Sequence, residues 1–254
     1  MSLYKRPFFL ENLVSYSCKQ KSVRNGQEQD GGISMKKNLT ELVFILDCSG
    51  SMAPLQMDTI GGFQSLLQEQ KQKEGEAFVS TVLFSDKSRV LHDRKKIAEV
   101  VPLTTSDYVP YGCTALLDAV GGAVKHISHI HKYAREEDRP EKTLFVIITD
   151  GMENASRFYR ANEVKRMIQE KKQKEHWEFL FIGANIDAVE VASELGIEKE
   201  YAADYCADEM GTDVLYHSVN QAVTYARSAP ACASMPTSWK DLIQKDFRKR
   251  GRKK

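Results

Sequence analysis

Blocks of apolar and polar residues alternate along this chain in a way that predicts strands and helices in turn. Apolar runs at 42–46, 78–84, 144–149 and 177–182 predict strands, and the first, which is unbroken, fits a strand covered on both faces. The segments between these strands are long enough to hold helices, and strands joined by helices form parallel units with right-handed crossovers. The pattern therefore predicts an α/β fold: a doubly wound, mostly parallel sheet with helices on both faces.

The polar segments between these strands contain apolar residues at helical spacing. Four helices are predicted in this way, through Leu55, Ile60, Phe63, Leu66 and Leu67; through Leu116, Val120, Ala123, Ile127 and Ile130; around Val164 and Ile168; and through Leu215, Val219, Ala222 and Ala226. Gly61 and Gly62 are expected to bring the first of these helices close to the sheet. Another helix starts at Asp187, with Glu190 three residues on, and closes at Gly196.

Two shorter strands complete the predicted sheet. A tight turn at 85–88 leads into Val90–His92, which we expect to be a short antiparallel edge strand. A weak strand is expected near Tyr201.

The strands and helices together place one domain at 38–227. An N-terminal extension at 1–37, of a composition that favours disorder, precedes it, and a linker with a basic C-terminal segment follows at 228–254.

Composition adds a charge asymmetry and a cellular setting. The chain has 254 residues with a formal net charge of +1, but Lys240–Lys254 carries eight Lys or Arg against two Asp. The five cysteines are an odd number without paired spacing, which favours reduced thiols and a cytoplasmic location. No run approaches the roughly 18–20 apolar residues of a membrane span, and PFFLENLV is too short for a secretory signal.

Oxygen-bearing side chains follow the predicted strands. Asp47, Ser49 and Ser51 come directly after the first strand with the spacing D-x-S-x-S, Thr114 precedes a helix, and Asp150 ends a later strand. The carboxyl ends of parallel strands face the ligand crevice of such sheets. Hydroxyl and carboxylate oxygens suit a small divalent ion, Mg²⁺ or Mn²⁺, so we expect a metal site here.

The order and spacing of these segments resemble the von Willebrand factor A (vWA) domain over roughly 38–227, in particular compact cytosolic bacterial and phage members. That family carries a metal-ion-dependent adhesion site (MIDAS) made of D-x-S-x-S, a distant Thr and a distant Asp, which match the five residues above. The resemblance implies that Asp47, Ser49, Ser51, Thr114 and Asp150 bind the ion. It also implies that an Asp or Glu of a bound protein completes the coordination. Cys48 stands at a position that the motif does not use.

Several residues near the motif have a plainer interpretation. Asp and Ser after a strand also cap helices, and Glu153 and Asn154 are better explained as loop or cap residues than as ligands. Cys48 and Cys113 flank ligand positions, so a thiol pair with a redox or soft-metal role is the alternative to simple loop residues. The cluster His126, His129 and His131 fits favourable charge at a helix C-terminus.

A binding function fits the motifs better than catalysis does. The chain contains no G-x-S-x-G, no P-loop and no C-x5-R after Cys48. One alternative is a magnesium-dependent phosphohydrolase, but such enzymes want a second Asp two residues after the first, where Ser49 stands. Another is a nucleic-acid-associated scaffold acting through the basic C-terminal segment. We expect a metal-dependent protein-binding module that is not an enzyme, whose specificity lies in loop surfaces with no recognisable code.

Overall fold

A six-stranded sheet lies at the centre of the protein in a computed structural model that describes residues 39–230 and 233–251. The predicted extension at 1–37 falls outside the described residues. The strands are β1 Leu39–Asp47, β2 Glu76–Phe84, β3 Ser88–Lys96, β4 Lys142–Thr149, β5 Glu178–Gly183 and β6 Ala202–Asp204. Their order is β3-β2-β1-β4-β5-β6, and only β3 is antiparallel to its neighbour. The predicted fold class is confirmed.

Helices cover both faces of the sheet. They are α1 Gln56–Lys71, α2 Leu116–Tyr133, α3 Ala161–Glu175, α4 Ala188–Glu194, α5 Glu209–Ser228 and α6 Asp241–Arg250. Among the described residues, no helix is long and apolar enough to cross a membrane. Asp187 caps α4 as predicted, because its side chain accepts a hydrogen bond from the amide of Glu190.

Strand β1 separates two apolar layers, and all nine of its residues are buried. Successive side chains of a strand point to opposite faces. Phe44 and Leu46 therefore belong to the layer under α1, α5 and α6, whereas Val43 and Ile45 belong to the layer under α2, α3 and α4. A strand covered on both faces must be apolar throughout, which is why this segment is the clearest signal in the sequence.

Helix α1 makes its closest approach to α5. A Cβ atom added to Gly62 would lie 2.3 Å from Cδ2 of Tyr216 in α5, so only a glycine fits there. A Cβ atom at Gly61 would meet nothing within 4 Å. The prediction that both glycines bring this helix to the sheet is therefore wrong, since one of them makes room for a neighbouring helix.

The C-terminal segment adds a helix that the sequence pattern did not reveal. Trp239 and Ile243 are buried, and Lys240 Nζ donates to the carbonyl of Ala202 at the edge strand β6, at 2.8 Å. Arg250 pairs with Asp208, the N-cap residue of α5, at 2.5 Å. The segment 237–250 thus packs on the domain, while the boundary at 227 stays a prediction.

The histidines of α2 have specific partners. His126 Nε2 lies 2.8 Å from Asp93 Oδ1 of β3. His131 is nearly buried, 3.4 Å from the buried carboxylate of Glu41 and in edge contact with the ring of Trp177. Tertiary contacts therefore account for these two residues more directly than the charge at the helix terminus does.

Arg227 of α5 holds the C-terminal end of α1. It is 6% exposed, and its guanidinium donates to the side-chain oxygen of Gln70 at 2.9 Å and to the carbonyl of Gly75 at 2.8 Å. The carbonyls of Lys73 and Glu74 accept further bonds at 3.3 Å. The guanidinium also donates to the carbonyl of Gln70, a buried residue in the last turn of α1, where a helix leaves its carbonyls without partners of its own.

We predict that Arg227→Met lowers the free energy of unfolding by about 3 kcal/mol, because it leaves the carbonyl and the side-chain oxygen of the buried Gln70 without their donor. Urea denaturation followed by circular dichroism measures this change. The matched control is Arg166→Met on the exposed face of α3, which should stay within about 0.5 kcal/mol of wild type. Equal losses in the two variants would contradict the proposed capping role.

Candidate metal centre

The carboxylate of Asp47, the last residue of β1, is held from both sides. Asp47 is 1% exposed. Its Oδ1 accepts a hydrogen bond from the amide of Ser49 at 2.8 Å, and its Oδ2 accepts one from Thr149 Oγ1 at 2.5 Å. The hydroxyl of the buried Tyr108 donates to the backbone carbonyl of Asp47. The side chain therefore has one fixed orientation at the carboxyl edge of the sheet.

A chain of hydrogen bonds joins the D-x-S-x-S loop to the end of β4. Ser49 Oγ and Ser51 Oγ are hydrogen-bonded at 3.1 Å, and Ser51 Oγ donates to Asp150 Oδ1 at 2.6 Å. Strands β1 and β4 are parallel neighbours, so their carboxyl ends lie at the same edge. This pairing brings together residues that are 99 positions apart in the sequence.

Thr114 arrives at the same edge from a third loop. The amide of Gly50 donates to the carbonyl of Gly112 at 3.1 Å, and Gly112 has a φ of +71°, which favours glycine. Thr114 is 4% exposed. A Cβ atom added to Gly151 would lie 3.5 Å from Thr114 Oγ1, which places this hydroxyl beside the residue that follows Asp150. All five predicted residues are therefore grouped at one edge of the sheet.

Burial makes the two carboxylates of the site unfavourable as bare charges. Burial raises the pKa of Asp47, more than its hydrogen bonds with Thr149 and Ser49 lower it. Burial also raises the pKa of Asp150, and the nearby charge of Asp47 adds to that rise. Within 39–230 and 233–251, no Lys, Arg or His forms an ion pair with either carboxylate. A bound cation would supply the missing positive charge.

The donor set fits a hard divalent ion. It offers two carboxylates and the hydroxyls of two serines and a threonine, and such oxygens are the ligands that Mg²⁺ and Mn²⁺ prefer. The described part of the chain contains no group of three or more His, Cys, Asp or Glu that could hold a metal ion. A site at this edge would therefore depend on hydroxyl oxygens, and an ion bound there would act as a Lewis acid toward a further oxygen ligand.

The two cysteines beside the site serve different loops. Cys48 is buried and its Sγ donates to the carbonyl of Val109 at 3.0 Å. Burial raises the pKa of this thiol to about 11. Cys113 is exposed, and its amide donates to Asp86 Oδ1 at 2.6 Å. The Cys48 thiol is thus used as a hydrogen-bond donor within the fold, which supports the interpretation as loop residues.

The loop 151–160 caps the N-terminus of α2 and so connects two parts of the site. Asn154 Oδ1 accepts from the amide of Thr114, and the carbonyl of Thr114 accepts from the amide of Asn154, at 2.8 and 3.0 Å. Glu153 Oε2 accepts from the amide of Leu117 at 2.8 Å. Glu153 and Asn154 are therefore cap residues, which is one of the two roles that the sequence predicted for them.

The other end of this loop is held by Asp118 in the first turn of α2. Its carboxylate accepts from the amides of Arg157, Phe158 and Tyr159 at 2.8 to 2.9 Å. Sequence reasoning missed Asp118 because its partners lie 39 to 41 positions away. It also missed Thr149, although the position directly before Asp150 in T-D-G was a signal that could have been used.

Comparison with solved structures identifies the fold. A proximal thread matrix protein of the mussel byssus, described with a zinc-occupied MIDAS motif, superposes with a TM-score of 0.50 at 14% identity, over 73% of this chain and 46% of that one. The PilB minor pilin of Streptococcus sanguinis, a D319A mutant, superposes with a TM-score of 0.50 at 12% sequence identity, over 79% of this chain and 65% of that one. A von Willebrand factor type A protein of Catenulispora acidiphila superposes with a TM-score of 0.47 at 14% sequence identity, over 73% of this chain and 42% of that one.

The protein has a vWA fold. Sequence identities of 12 to 14% establish a similarity of fold only. This chain spans less than half the length of the mussel and Catenulispora proteins. No protein-family model matches the sequence, and no curated protein does. In this vWA fold, the grouped oxygens lie at the carboxyl ends of β1 and β4, next to the N-terminus of α2.

We predict that Glu153→Gln destabilises the fold by about 1–3 kcal/mol, since an amide nitrogen would replace an oxygen that accepts hydrogen bonds. Both oxygens of Glu153 are acceptors: Oε1 takes the amides of Ala155 and Ser156, and Oε2 takes the amide of Leu117. Thermal unfolding measures the loss, and hydrogen exchange at Leu117 should accelerate. Glu194→Gln, at an exposed position in α4, is the control and should change neither quantity.

Proposed function

We propose that this protein is a divalent-metal-dependent protein-binding module, of the adhesion or scaffold type, that holds Mg²⁺ or Mn²⁺ with Asp47, Ser49, Ser51, Thr114 and Asp150. One observation supports this most. Two buried carboxylates with raised pKa values lie at one sheet edge, Asp47 bonded to the hydroxyl of Thr149 and Asp150 to that of Ser51, and no cationic side chain of the described residues pairs with either. A divalent ion is the partner that this donor set fits.

The composition of the donor set also supports binding to an acidic partner. Three of the five proposed ligands are neutral hydroxyls, so the ion would keep much of its positive charge. An Asp or Glu from a bound protein is then a natural additional ligand. The mussel protein with the same fold is described with a zinc-occupied MIDAS motif, which is a precedent for a divalent ion on this fold.

Catalysis has less support than binding at this edge of the sheet. Ser49 and Ser51 are hydrogen-bonded to each other and to Asp150, and none of the histidines in the described part of the chain is bonded to either hydroxyl. A serine nucleophile needs such a base. A phosphohydrolase of the strand-end Asp type would need a carboxylate where Ser49 stands. The basic segment is partly used within the fold, because Lys240 and Arg250 bind β6 and α5.

We expect Mg²⁺ or Mn²⁺ to stabilise the folded protein. An ion bound only by the native state adds about 2.7 kcal/mol at a hundredfold excess over its Kd, which should raise Tm by about 5 °C. Loss of the free Mn²⁺ signal in electron paramagnetic resonance measures binding directly. Asp47→Asn keeps the size of the side chain but removes a ligand charge, so it should show neither response.

Equal melting temperatures of wild type with millimolar Mg²⁺ and with chelator, together with an unchanged free Mn²⁺ signal, would refute the metal site. Ser234→Ala, at an exposed position in the segment before α6 and away from the edge, is a control and should respond as wild type does.

A separate assay addresses catalysis. We expect no magnesium-dependent hydrolysis of p-nitrophenyl phosphate above the rate of the Asp47→Asn variant, since the hydroxyls of the site are not activated by a base. Magnesium-dependent turnover that disappears in Asp47→Asn would favour the phosphohydrolase alternative over the binding function.

A further inference from the structure

An open groove lies between α1 and α5, on the face of the sheet that also carries α6. Its volume is about 610 Å³, and the buried side chains of Leu66 and Tyr216 line its base. Gly61 also lines the groove, and an added Cβ atom there would meet nothing within 4 Å, so packing within the fold does not require this glycine. A glycine inside a helix is less favourable than an alanine. At Gly61 the missing side chain keeps the groove open.

The groove carries a single sign of charge. Among the described residues that line it there are four carboxylates and no Lys or Arg. Two of the carboxylates come from α1 and two from α5: Asp58, Glu69, Glu209 and Asp213. Met57 and Met210 also line the groove, and they are 64% and 59% exposed. Such a groove fits a helix that presents an apolar side chain flanked by positive charges, because methionine adapts to the shape of an apolar neighbour and carboxylates attract the cations.

Helix α6 of the same chain has the complementary surface. Leu242 is 42% exposed, and Lys245 and Lys249 follow it three and seven residues later, a spacing that places all three on one face of the helix. Both lysines are exposed. In the described part of the chain the ion pairs of α6 are formed by Arg250, with Asp208 and Asp246, and not by these lysines. The outer face of α6 therefore presents a leucine beside two positive charges.

The length and the anchoring of α6 determine which groove it can occupy. Its ten residues span about 15 Å, and the groove follows α1 from Met57 to Glu69, about 18 Å. Within its own chain α6 is held on β6 by Lys240 and on the N-cap of α5 by Arg250. Helix α5 thus lies between α6 and the groove of the same chain. The groove of a second copy has no such obstacle.

We propose that this protein forms a two-fold dimer in which the outer face of α6 docks in the α1–α5 groove of a second copy. A two-fold axis running along α5 would place each α6 over the groove of the other chain and form the contact twice, and two-fold dimers are the commonest homo-oligomers. The exposed leucine would lie over the partner's Gly61, and the two lysines would lie beside its groove carboxylates. None of the residues in this contact is a proposed ligand of the ion, so the dimer does not depend on the proposed function.

Sedimentation equilibrium of the full chain tests the dimer directly. A contact of this small size gives weak association, so we expect the average mass to rise from one chain toward two between about 5 μM and about 500 μM at low salt. Because salt screens exposed charges, 0.5 M NaCl should raise the dimer Kd at least tenfold. A monomer at every concentration, or assemblies larger than two chains, would overturn the proposed dimer.

Charge reversal assigns the two surfaces. Asp58→Lys/Asp213→Lys in the groove and Lys245→Glu/Lys249→Glu on α6 should each remain monomeric, because like charges then face each other in the dimer. An equimolar mixture of the two variants should dimerise, since each altered surface then meets its opposite charge on the other chain. This recovery cannot come from unfolded protein. A mixture that stays monomeric, or a groove variant that dimerises alone, would contradict the assignment.

Two further variants separate shape from overall charge. Gly61→Leu fills the groove at a position with open space, so it should keep the circular dichroism spectrum of wild type and lose the dimer. Glu190→Lys/Glu194→Lys makes the same charge change as the groove variant, at exposed positions of α4 on the other face of the sheet, and should keep the wild-type Kd. A dimer in the first variant or a monomer in the second would show that the contact lies elsewhere.

Discussion

The burial of the Asp47 carboxylate is the constraint on which the rest of this site depends. Strand β1 is covered on both faces, so its last residue ends inside the protein with 1% exposure. A buried carboxylate needs hydrogen-bond donors and a positive charge. The amide of Ser49 and the hydroxyl of Thr149 supply the donors. The proposed ion would supply the charge, and the hydroxyls of Ser49 and Ser51 form a hydrogen-bonded chain to Asp150 at the same edge.

The loop 151–160 gives the site a second dependence, on the first turn of α2. Asn154 and Thr114 exchange two hydrogen bonds, and Asp118 collects three amides from the far end of the loop. Thr114 precedes α2 and Asp150 follows β4. The loop 151–160 continues from Asp150 and is hydrogen-bonded to Thr114 and to the first turn of α2, so it connects the two residues. Negative side chains at this helix N-terminus also agree with the helix dipole. A change in the position of α2 would therefore move Thr114 and the loop that follows Asp150 together.

Local patterns were enough to predict the fold class and the grouping of the site residues at one edge. An unbroken apolar run identifies a central strand, and residues that follow parallel strands must meet at the carboxyl edge, so Asp47 and Asp150 could be placed together. Contacts between distant segments had no such local signal. Asp118, the Gly62–Tyr216 contact and the packing of α6 on β6 became visible only once the chain was folded, because their partners are set by packing and not by spacing.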